Sequence, residues 1–381
     1  MPQTAISPSL LVSHVELYVT DAVAAAEAFT DGYGFQVFAT SERTGHRAGA
    51  QGACRSLALR QGGIVLVVTQ ALDDIHPAAA YTAAHGEGIA DITLAADDVR
   101  AVLADAAARG ADVLAEPAEH DGGWVTATVR AGFDDVRHTL VQRPAGAEAH
   151  GTPLPLPGFA PVVEPAPLPA DSPELTVLDH VAVSVKMGEL ATATGYYEQV
   201  FGYETIYEEL MVQGREAMDS KAVRSPAGDL TLTVLAPSPE HEAGHIGDFL
   251  RCHGSGGVHH LAFATTEIVE TVARLDKRGI VFLSTPDTYY EALAERLDLT
   301  RHSIDELREA GILADEDHAG QLFQIFTRTV HPKRTLFYEI IERVGADTFG
   351  GGNVRALYDA VQAERAEHEA TTDTDTAEYG R

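Results

Sequence analysis

The chain has 381 residues, of which 45% are hydrophobic and 22% are charged, and its formal net charge is -30. This length and composition are typical of a globular protein with two ordinary domains. The negative charge argues against a nucleic-acid binder and against docking on anionic membranes, because both need clustered Lys and Arg. Cys54 and Cys252 lie far apart without a redox or metal-binding spacing, so we expect two free thiols.

The sequence shows no sign of a membrane span or an export signal. No apolar run approaches the ~20 residues that a spanning helix needs. The first residues, MPQTAISPSLL, lack the basic segment and the apolar run of a signal peptide. We therefore predict a soluble protein of the cytoplasm.

Two parts of the chain carry the same succession of patterns. In both parts an alternating strand pattern precedes an Ala-rich helical pattern. The first copy reads SHVELYV and then AVAAAEAFTDGYGF, and the second reads DHVAVSV and then ELATATGYYEQVFGY. Four more pairs follow in order: GIVLVVTQ and DLTLTVLA, GIADITLAADDV and GVHHLAFATTEI, RGADVLAEP and RGIVFLSTP, VRHTLVQR and LFYEIIER. The separation is 166 to 169 residues through most pairs and 200 for the last, which indicates an insertion late in the second copy. The patterns predict an internal duplication.

This duplication predicts an α+β fold of two tandem homologous domains, each with strand–helix–three-strand units. The expected boundaries are an N-terminal domain over 1–145, a Pro-rich linker over 146–175, a C-terminal domain over 176–362 and a polar tail over 363–381. The insertion, 289–319, is predicted to be mostly helical. It could be a lid over a site, or it could only contribute packing.

Side chains that can bind a metal occupy matching strand positions in the second copy. They are His180, His260 and Glu339. Two neutral imidazoles and a carboxylate form a facial triad, which suits Fe(II) because it leaves three coordination positions open. A lone histidine in an apolar strand is more often a core residue. An inward-facing carboxylate at Glu339, however, needs a partner or a metal, so the three together favour a metal site.

The first copy lacks this set. Its equivalent residues are His14, Asp91 and Thr139. One imidazole and the carboxylate at the third position are missing there, so we expect no iron in this domain. His14 is then predicted to be a structural or surface histidine.

A second metal-binding pattern occurs at 241–245, which reads HEAGH and satisfies the zinc-protease motif HExxH. That motif works only on a helix that presents both histidines on one face. Pro237 and Pro239 precede it, Gly244 lies within it, and no third ligand follows at a suitable spacing. A zinc metallopeptidase is therefore a remote alternative.

The second copy resembles the vicinal oxygen chelate superfamily, and within it the family of 4-hydroxyphenylpyruvate dioxygenase and 4-hydroxymandelate synthase. The stretches that carry the resemblance are LDHVAVSV, GGVHHLAFAT, FLSTPDTYY, ILADEDHAGQLFQIFT, LFYEIIER and TFGGGNVRALYDAV. The resemblance implies paired βαβββ modules that form a glyoxalase-like open barrel, and one Fe(II) per chain. It also implies a small 2-oxo acid substrate with O2, and a homodimer or homotetramer. No catalytic residue beyond the metal ligands is expected.

The resemblance implies the residues of the substrate pocket as well. They are Ser220, Thr233, Leu235, Gln324, Phe326, Phe337 and Val354. Thr233, Leu235 and Val354 are similar to the synthases, whereas the ring-hydroxylating enzymes carry Pro, Asn and Phe there. The expected reaction is conversion of 4-hydroxyphenylpyruvate and O2 to 4-hydroxymandelate and CO2, in a secondary pathway such as antibiotic biosynthesis. The alternatives are a dioxygenase that forms homogentisate and, from another class, a protein that only binds a ligand.

Two histidines depart from the family pattern. His245 and His259 stand where relatives usually carry Gln, which leaves the preferred ring substituents of the substrate open. His259 directly precedes His260. Because side chains alternate along a strand, we expect His259 to point to the opposite face and not to bind the metal.

Overall fold

The computed structural model describes residues 10–43, 52–145, 154–163, 169, 171–349 and 352–353. The elements of the first half are β1 (Leu11–Val19), α1 (Ala22–Asp31), β2 (Gln36–Arg43), β3 (Cys54–Gln61), β4 (Ile64–Ala71), α2 (Pro77–His85), β5 (Gly88–Ala95), α3 (Val99–Ala108), β6 (Val113–His120), a 3-10 turn (Asp121–Gly123), β7 (Trp124–Arg130) and β8 (Arg137–Gln142). A two-residue strand, β9 (Ala160–Pro161), follows.

The second half repeats this order with added helices. Its elements are β10 (Leu178–Ser184), α4 (Leu190–Phe201), β11 (Glu204–Gln213), β12 (Glu216–Arg224), β13 (Thr231–Pro237), α5 (Gly244–His253), β14 (Gly257–Ala264), α6 (Ile268–Lys277), α7 (Asp287–Arg296), α8 (Ile304–Ala310), β15 (Leu313–Glu316), β16 (Gln321–Phe326) and β17 (Phe337–Val344). No helix among these described residues is both long and apolar enough to cross a membrane.

Each half forms a sheet of its own. The strand orders are β6-β7-β8-β5-β1-β4-β3-β2-β9 and β11-β12-β13-β10-β14-β17-β16-β15. In both sheets the first strands of the two modules pair antiparallel at the centre, β1 with β5 and β10 with β14. The predicted α+β fold of two tandem domains, each of paired βαβββ modules, is confirmed.

Local sequence explains why these elements begin where they do. Helix α1 starts after Asp21, whose carboxylate accepts hydrogen bonds from the backbone N–H groups of Val23 and Ala24. Helix α8 starts with a capping box between Ser303 and Glu306. The central strands β5 and β14 are buried along almost their whole length, as their apolar sequences require.

The insertion is only partly as predicted. Helices α7 and α8 fill most of 289–310, but Leu313–Glu316 forms strand β15. Strand β15 occupies the sheet edge that β6 occupies in the first half. The stretch RGIVFLSTP matches the sequence of β6 but is not one of the strands of the second sheet. Its Phe282 makes an isolated bridge to Thr327. Helices α7 and α8 thus lie in the chain between RGIVFLSTP and β15, the strand that takes the position of β6.

The predicted linker contributes to the first sheet. Ala160 and Pro161 pair with Thr40 and Ala39 at the edge strand β2. Residues 146–153, 164–168 and 170 of this segment, and the predicted tail 363–381, lie outside the described residues. The domain boundaries therefore stay predictions.

The two halves share one apolar core. Tyr33, which follows α1, packs edge-on against Tyr338 of β17, with ring centroids 5.2 Å apart. Conversely, the hydroxyl group of Tyr197 on α4 in the second half lies 2.8 Å from Nε2 of the buried His138 on β8 in the first half. Each half thus places an aromatic side chain from its first helical region against the last strand of the other.

Candidate metal centre and substrate cavity

Three buried side chains converge at the centre of the second sheet. His180 lies on β10, His260 on β14 and Glu339 on β17, which are neighbouring strands. The Nε2 atoms of both imidazoles lie 3.3 Å from the same carboxylate oxygen, Oε2 of Glu339. The candidate ligand atoms all lie within 4.8 Å of one another. The structure thus brings together the three residues predicted from the sequence as metal ligands.

Two irregularities in the pairing of β10 with β14 shape this site. The register shifts between Leu178 and His180, and again where Ala182 and Val183 of β10 face His260 and Val258 of β14. Each shift leaves one residue without a direct partner and re-aims the side chains around it. The first shift brings Oδ1 of Asp179 to 2.9 Å from Nδ1 of His180.

Asp179 is held in turn by a guanidinium group. Arg343 on β17 donates from Nε to Oδ2 of Asp179 at 2.8 Å and from Nη2 to Oδ1 at 2.9 Å. Burial opposes ionisation of Asp179, but His180 and Arg343 outweigh it and hold the pKa of its carboxyl well below the usual range. His180 is thus oriented through Nδ1, which leaves Nε2 for a cation. Neither Asp179 nor Arg343 was predicted from the sequence, although an Asp directly before the first candidate ligand was visible there.

The electrostatics of the triad favour an added cation. Burial opposes the charge on Glu339, yet His180 and His260 lower the pKa of its carboxyl to about 2. Burial likewise opposes protonation of His180, but Glu339 and Asp179 raise the pKa of its imidazole to about 9. The buried negative charge of Glu339 therefore needs a positive partner, which is a proton on His180 or a metal ion in its place.

The second oxygen of Glu339 is already engaged. Gln324 on β16 donates from Nε2 to Oε1 of Glu339 at 2.7 Å, and its own Oε1 accepts from Nδ2 of Asn353 at 2.9 Å. Oε2 is the oxygen that faces both imidazoles. The residues present therefore fit a metal ion bound by two nitrogens and one carboxylate oxygen.

A cavity opens beside the triad, and the space in and around it that no atom fills, open solvent included, is about 490 Å³. Its lining includes five of the predicted substrate residues, namely Ser220, Thr233, Leu235, Gln324 and Phe326. The hydroxyl of Thr233 is buried and has no hydrogen-bond partner among the described residues. A ligand in the cavity can supply that partner.

Two predicted substrate residues have a different status. Phe337 stacks on the ring of His260, with centroids 4.8 Å apart and planes 25° apart, and it is not among the lining residues. It packs against the candidate metal ligand His260 and does not line the open space. Val354 lies outside the described residues.

Four further lining residues were not predicted from the sequence. They are Tyr207, Met211, Met218 and Phe349. Three of them lie on the β11–β12 hairpin, where no motif marks them. The alternation of those strands tells which residues share a face, but not that this face closes over a cavity.

Comparison with known proteins gives a consistent result. Two models of the Glyoxalase/Bleomycin resistance protein/Dioxygenase superfamily match residues 13–128 and 177–325. The 4-hydroxyphenylpyruvate dioxygenases of Caenorhabditis briggsae and Yarrowia lipolytica are each 30% identical, over 368 and 375 residues. These alignments cover 92% and 93% of this chain and 91% of either relative.

A solved structure agrees. A triple mutant of 4-hydroxymandelate synthase from Streptomyces coelicolor has 37% sequence identity to this chain and a TM-score of 0.79, and the match covers 94% of this chain and 99% of that one. The chain belongs to the family of 4-hydroxyphenylpyruvate dioxygenase and 4-hydroxymandelate synthase. It is therefore an oxidoreductase of a dioxygenase family, with two vicinal oxygen chelate domains, and the resemblance found in the sequence is confirmed.

Within this dioxygenase-family fold, the expected orientation of His259 is wrong. The register shift at His259 interrupts the alternation, so His259 and His260 both line the cavity. Their Nδ1 atoms lie 3.1 Å apart. His259 is nevertheless outside the group of side chains that can share a metal, which contains His180, His260 and Glu339.

The HEAGH segment does not have the geometry of a zinc protease. Helix α5 begins at Gly244, so His241 and His245 do not lie on one helix. Glu242, the required base, is exposed and forms an ion pair with Arg215 at 2.6 Å. His245 instead lines the cavity of the dioxygenase-family site.

The first domain of this dioxygenase-family chain fills the equivalent position with a salt bridge. Asp91 pairs with Arg137 across β5 and β8, as His260 pairs with Phe337 across β14 and β17. Asp91 thus takes the place of His260, and Arg137 that of Phe337. Arg137 donates from Nε to Asp91 at 2.9 Å, and Oγ1 of Thr139 donates to the same carboxylate at 2.5 Å. A guanidinium thus neutralises the one carboxylate among the three equivalent positions. His14 is buried and lies 3.2 Å from Oγ of Ser13 through its Nδ1.

Proposed function

We propose that this chain is an Fe(II)-dependent dioxygenase that converts 4-hydroxyphenylpyruvate and O2 to 4-hydroxymandelate and CO2. The observation that carries the proposal is the buried set of His180, His260 and Glu339 at the wall of a cavity. Two imidazoles and one carboxylate are the donor set that suits Fe(II), and they leave three coordination positions open for substrate and O2. One iron per chain follows, because the first domain lacks this set.

Iron, when bound, would supply the redox chemistry with O2. The protein's own task is to orient the substrate. The 2-oxo acid end of the substrate carries a negative charge, so it belongs at the cationic end of the cavity beside the triad. The unpaired hydroxyl of Thr233 offers a hydrogen bond to a polar group of the substrate, and Phe326 offers an apolar wall to its ring.

The atoms of the proposed reaction balance. Loss of CO2 from the 2-oxo acid leaves an arylacetate, whose new carboxylate takes one oxygen atom of O2. The second oxygen atom enters the C–H bond of the benzylic carbon as a hydroxyl group. The cavity therefore has to present the benzylic carbon, and not the ring, to the oxidant.

Two observations favour benzylic hydroxylation. One similar solved structure, at 37% sequence identity, is that of a mutant 4-hydroxymandelate synthase. Thr233 and Leu235, which resemble the synthases in sequence, lie on one face of β13 and line the cavity. Formation of homogentisate is the second candidate, because the curated relatives are 4-hydroxyphenylpyruvate dioxygenases.

The test is identification of the product. The purified protein is reconstituted with Fe(II), supplied with 4-hydroxyphenylpyruvate under air, and the product is examined by proton NMR. Mass alone does not discriminate, because 4-hydroxymandelate and homogentisate are isomers. A 1,4-substituted ring with a benzylic CH–OH signal supports the proposal, whereas a trisubstituted ring as the main product overturns it.

A second test uses the wall position predicted from sequence. Val354→Phe restores the aromatic residue of the ring-hydroxylating relatives. We expect a shift toward ring hydroxylation or a lower turnover. An unchanged product ratio and rate would remove Val354 from the proposal without affecting the metal site.

A further inference from the structure

We propose that His259 is a positioning residue that fixes the tautomer and the orientation of the ligand His260. This inference rests on the proposed metal site. It goes beyond that site because His259 itself is not a ligand, and because it assigns a hydrogen-bonding state to each of two adjacent rings.

Metal binding at Nε2 of His260 leaves only one arrangement of hydrogens for the contact between the two rings. Their Nδ1 atoms lie 3.1 Å apart, so one must donate and the other must accept. Nε2 of His260 faces Oε2 of Glu339 at 3.3 Å, and it is the nitrogen available to a metal. A neutral His260 that offers the lone pair of Nε2 carries its hydrogen on Nδ1. Nδ1 of His260 therefore donates, Nδ1 of His259 accepts, and the hydrogen of His259 is on Nε2.

Packing holds His259 in the accepting position. The side chain is buried, and its ring lies edge-on to Phe337 and Phe249 at centroid distances of 4.8 and 5.3 Å. Phe337 also stacks on His260. The orientations of the two imidazoles are thus coupled by one hydrogen bond and one shared aromatic neighbour.

The two ligand imidazoles are supported by different chemistry. Nδ1 of His180 lies 2.9 Å from the carboxylate of Asp179, which Arg343 neutralises. His260 is supported by a neutral ring. The described lining of the cavity contains no carboxylate besides Glu339, so a bound divalent cation keeps a net positive charge toward an anionic substrate.

The first domain provides an internal comparison. The same register shift occurs there, between Glu16 and Leu17 opposite Asp91 and Ile89, and the residue it displaces is Ala90. Ala90 has no side-chain acceptor. The shift is therefore a property of the duplicated fold, whereas the accepting imidazole occurs in the domain that has the triad.

The first measurement is the affinity of the metal-free protein for Co(II), by calorimetry and by the visible spectrum of the bound ion. His259→Leu removes the acceptor and keeps an apolar side chain, and we expect roughly 10- to 100-fold weaker binding. His259→Gln returns a neutral acceptor and is expected to restore most of the affinity. His241→Leu, at a histidine of the second domain that is not in the cavity lining, is the matched control and should keep the wild-type affinity.

The second measurement does not depend on a variant. Long-range proton–nitrogen correlation spectra of the wild-type protein with Zn(II) report which nitrogen of each histidine carries hydrogen. We expect the Nδ1–H form for His260 and the Nε2–H form for His259. The Nδ1–H form for His259, or equal Co(II) affinity of the wild type and of a folded His259→Leu protein, overturns the inference. Neither readout needs turnover, so a wrong substrate or product would not alter them.

Discussion

Replacing Asp179 by Asn tests how much the support of a ligand contributes to the metal site. The amide keeps the shape and one oxygen acceptor for Nδ1 of His180, but it removes the negative charge that pairs with Arg343. Both ionic hydrogen bonds of that pair are short, 2.8 and 2.9 Å, and both side chains are mostly buried. Removing one partner of a buried pair costs 3–5 kcal/mol.

The expected loss lies at the lower end of that range. Arg343 still donates to the backbone carbonyl groups of Ala346 and Thr348, at 3.3 and 2.6 Å. We therefore expect Asp179→Asn to lower the free energy of unfolding of the metal-free protein by about 3 kcal/mol. Metal affinity should fall by roughly tenfold. Urea denaturation followed by circular dichroism measures the first effect, and calorimetric titration with Co(II) measures the second.

The first domain offers a matched control for this variant. Ser13 occupies the place of Asp179, and its Oγ accepts from Nη2 of Arg143 at 3.0 Å. Ser13→Ala should leave the Co(II) affinity unchanged, because no triad lies beside it. If Asp179→Asn bound Co(II) as tightly as the wild type while remaining folded, the argument that Asp179 orients His180 would be refuted.

Three other substitutions follow from the same structure. Glu339→Gln should abolish saturable Co(II) binding in calorimetry, since it removes the charge that the cation balances; retained binding would place the metal elsewhere. Thr233→Val should raise the stability of the ligand-free protein by about 1 kcal/mol, because it removes a buried unpaired hydroxyl. The same substitution should lower kcat/KM for 4-hydroxyphenylpyruvate about tenfold. A higher melting temperature together with a lower kcat/KM is the expected result, and any other combination contradicts the role of Thr233. Burial first, and the charge of His85 second, lower the pKa of His253 to about 4. Between pH 6.5 and about 4 the imidazole is therefore protonated in the unfolded chain but neutral in the folded one. The free energy of unfolding falls as the pH drops through this range. Melting temperatures of His253→Phe across this range should decline less steeply than those of the wild type, and parallel curves would contradict the assignment.

The duplication carried most of what the sequence could predict. Because the two halves align at a nearly constant separation, the two-domain fold and the candidate triad of His180, His260 and Glu339 could be predicted from matching positions in the repeated strand patterns. What could not be predicted depends on departures from that regularity. Regular alternation of side chains along β14 predicts that His259 points away from the face of His260. The register shift at His259 interrupts this alternation, so the prediction fails there.

Long-range contacts set a second limit. Asp179 and Arg343 are 164 positions apart in sequence, and their pairing depends on which edges of β10 and β17 face each other. The β11–β12 hairpin has no pattern that marks Tyr207 or Met211 as lining residues, because its fold over the cavity is a tertiary property. The metal ligands have a chemical signature in the sequence, whereas their supports do not.

The arginine of the first domain has a consequence for how the protein responds to chelators. Arg137 is covalently part of the chain, so the charge that it gives to Asp91 cannot be extracted, oxidised or exchanged. The two halves repeat one pattern, yet under the proposed function only the second would hold a cation that can be removed. A chelator would then remove positive charge from one side of the shared core, while the other side keeps the internal counterion of Asp91.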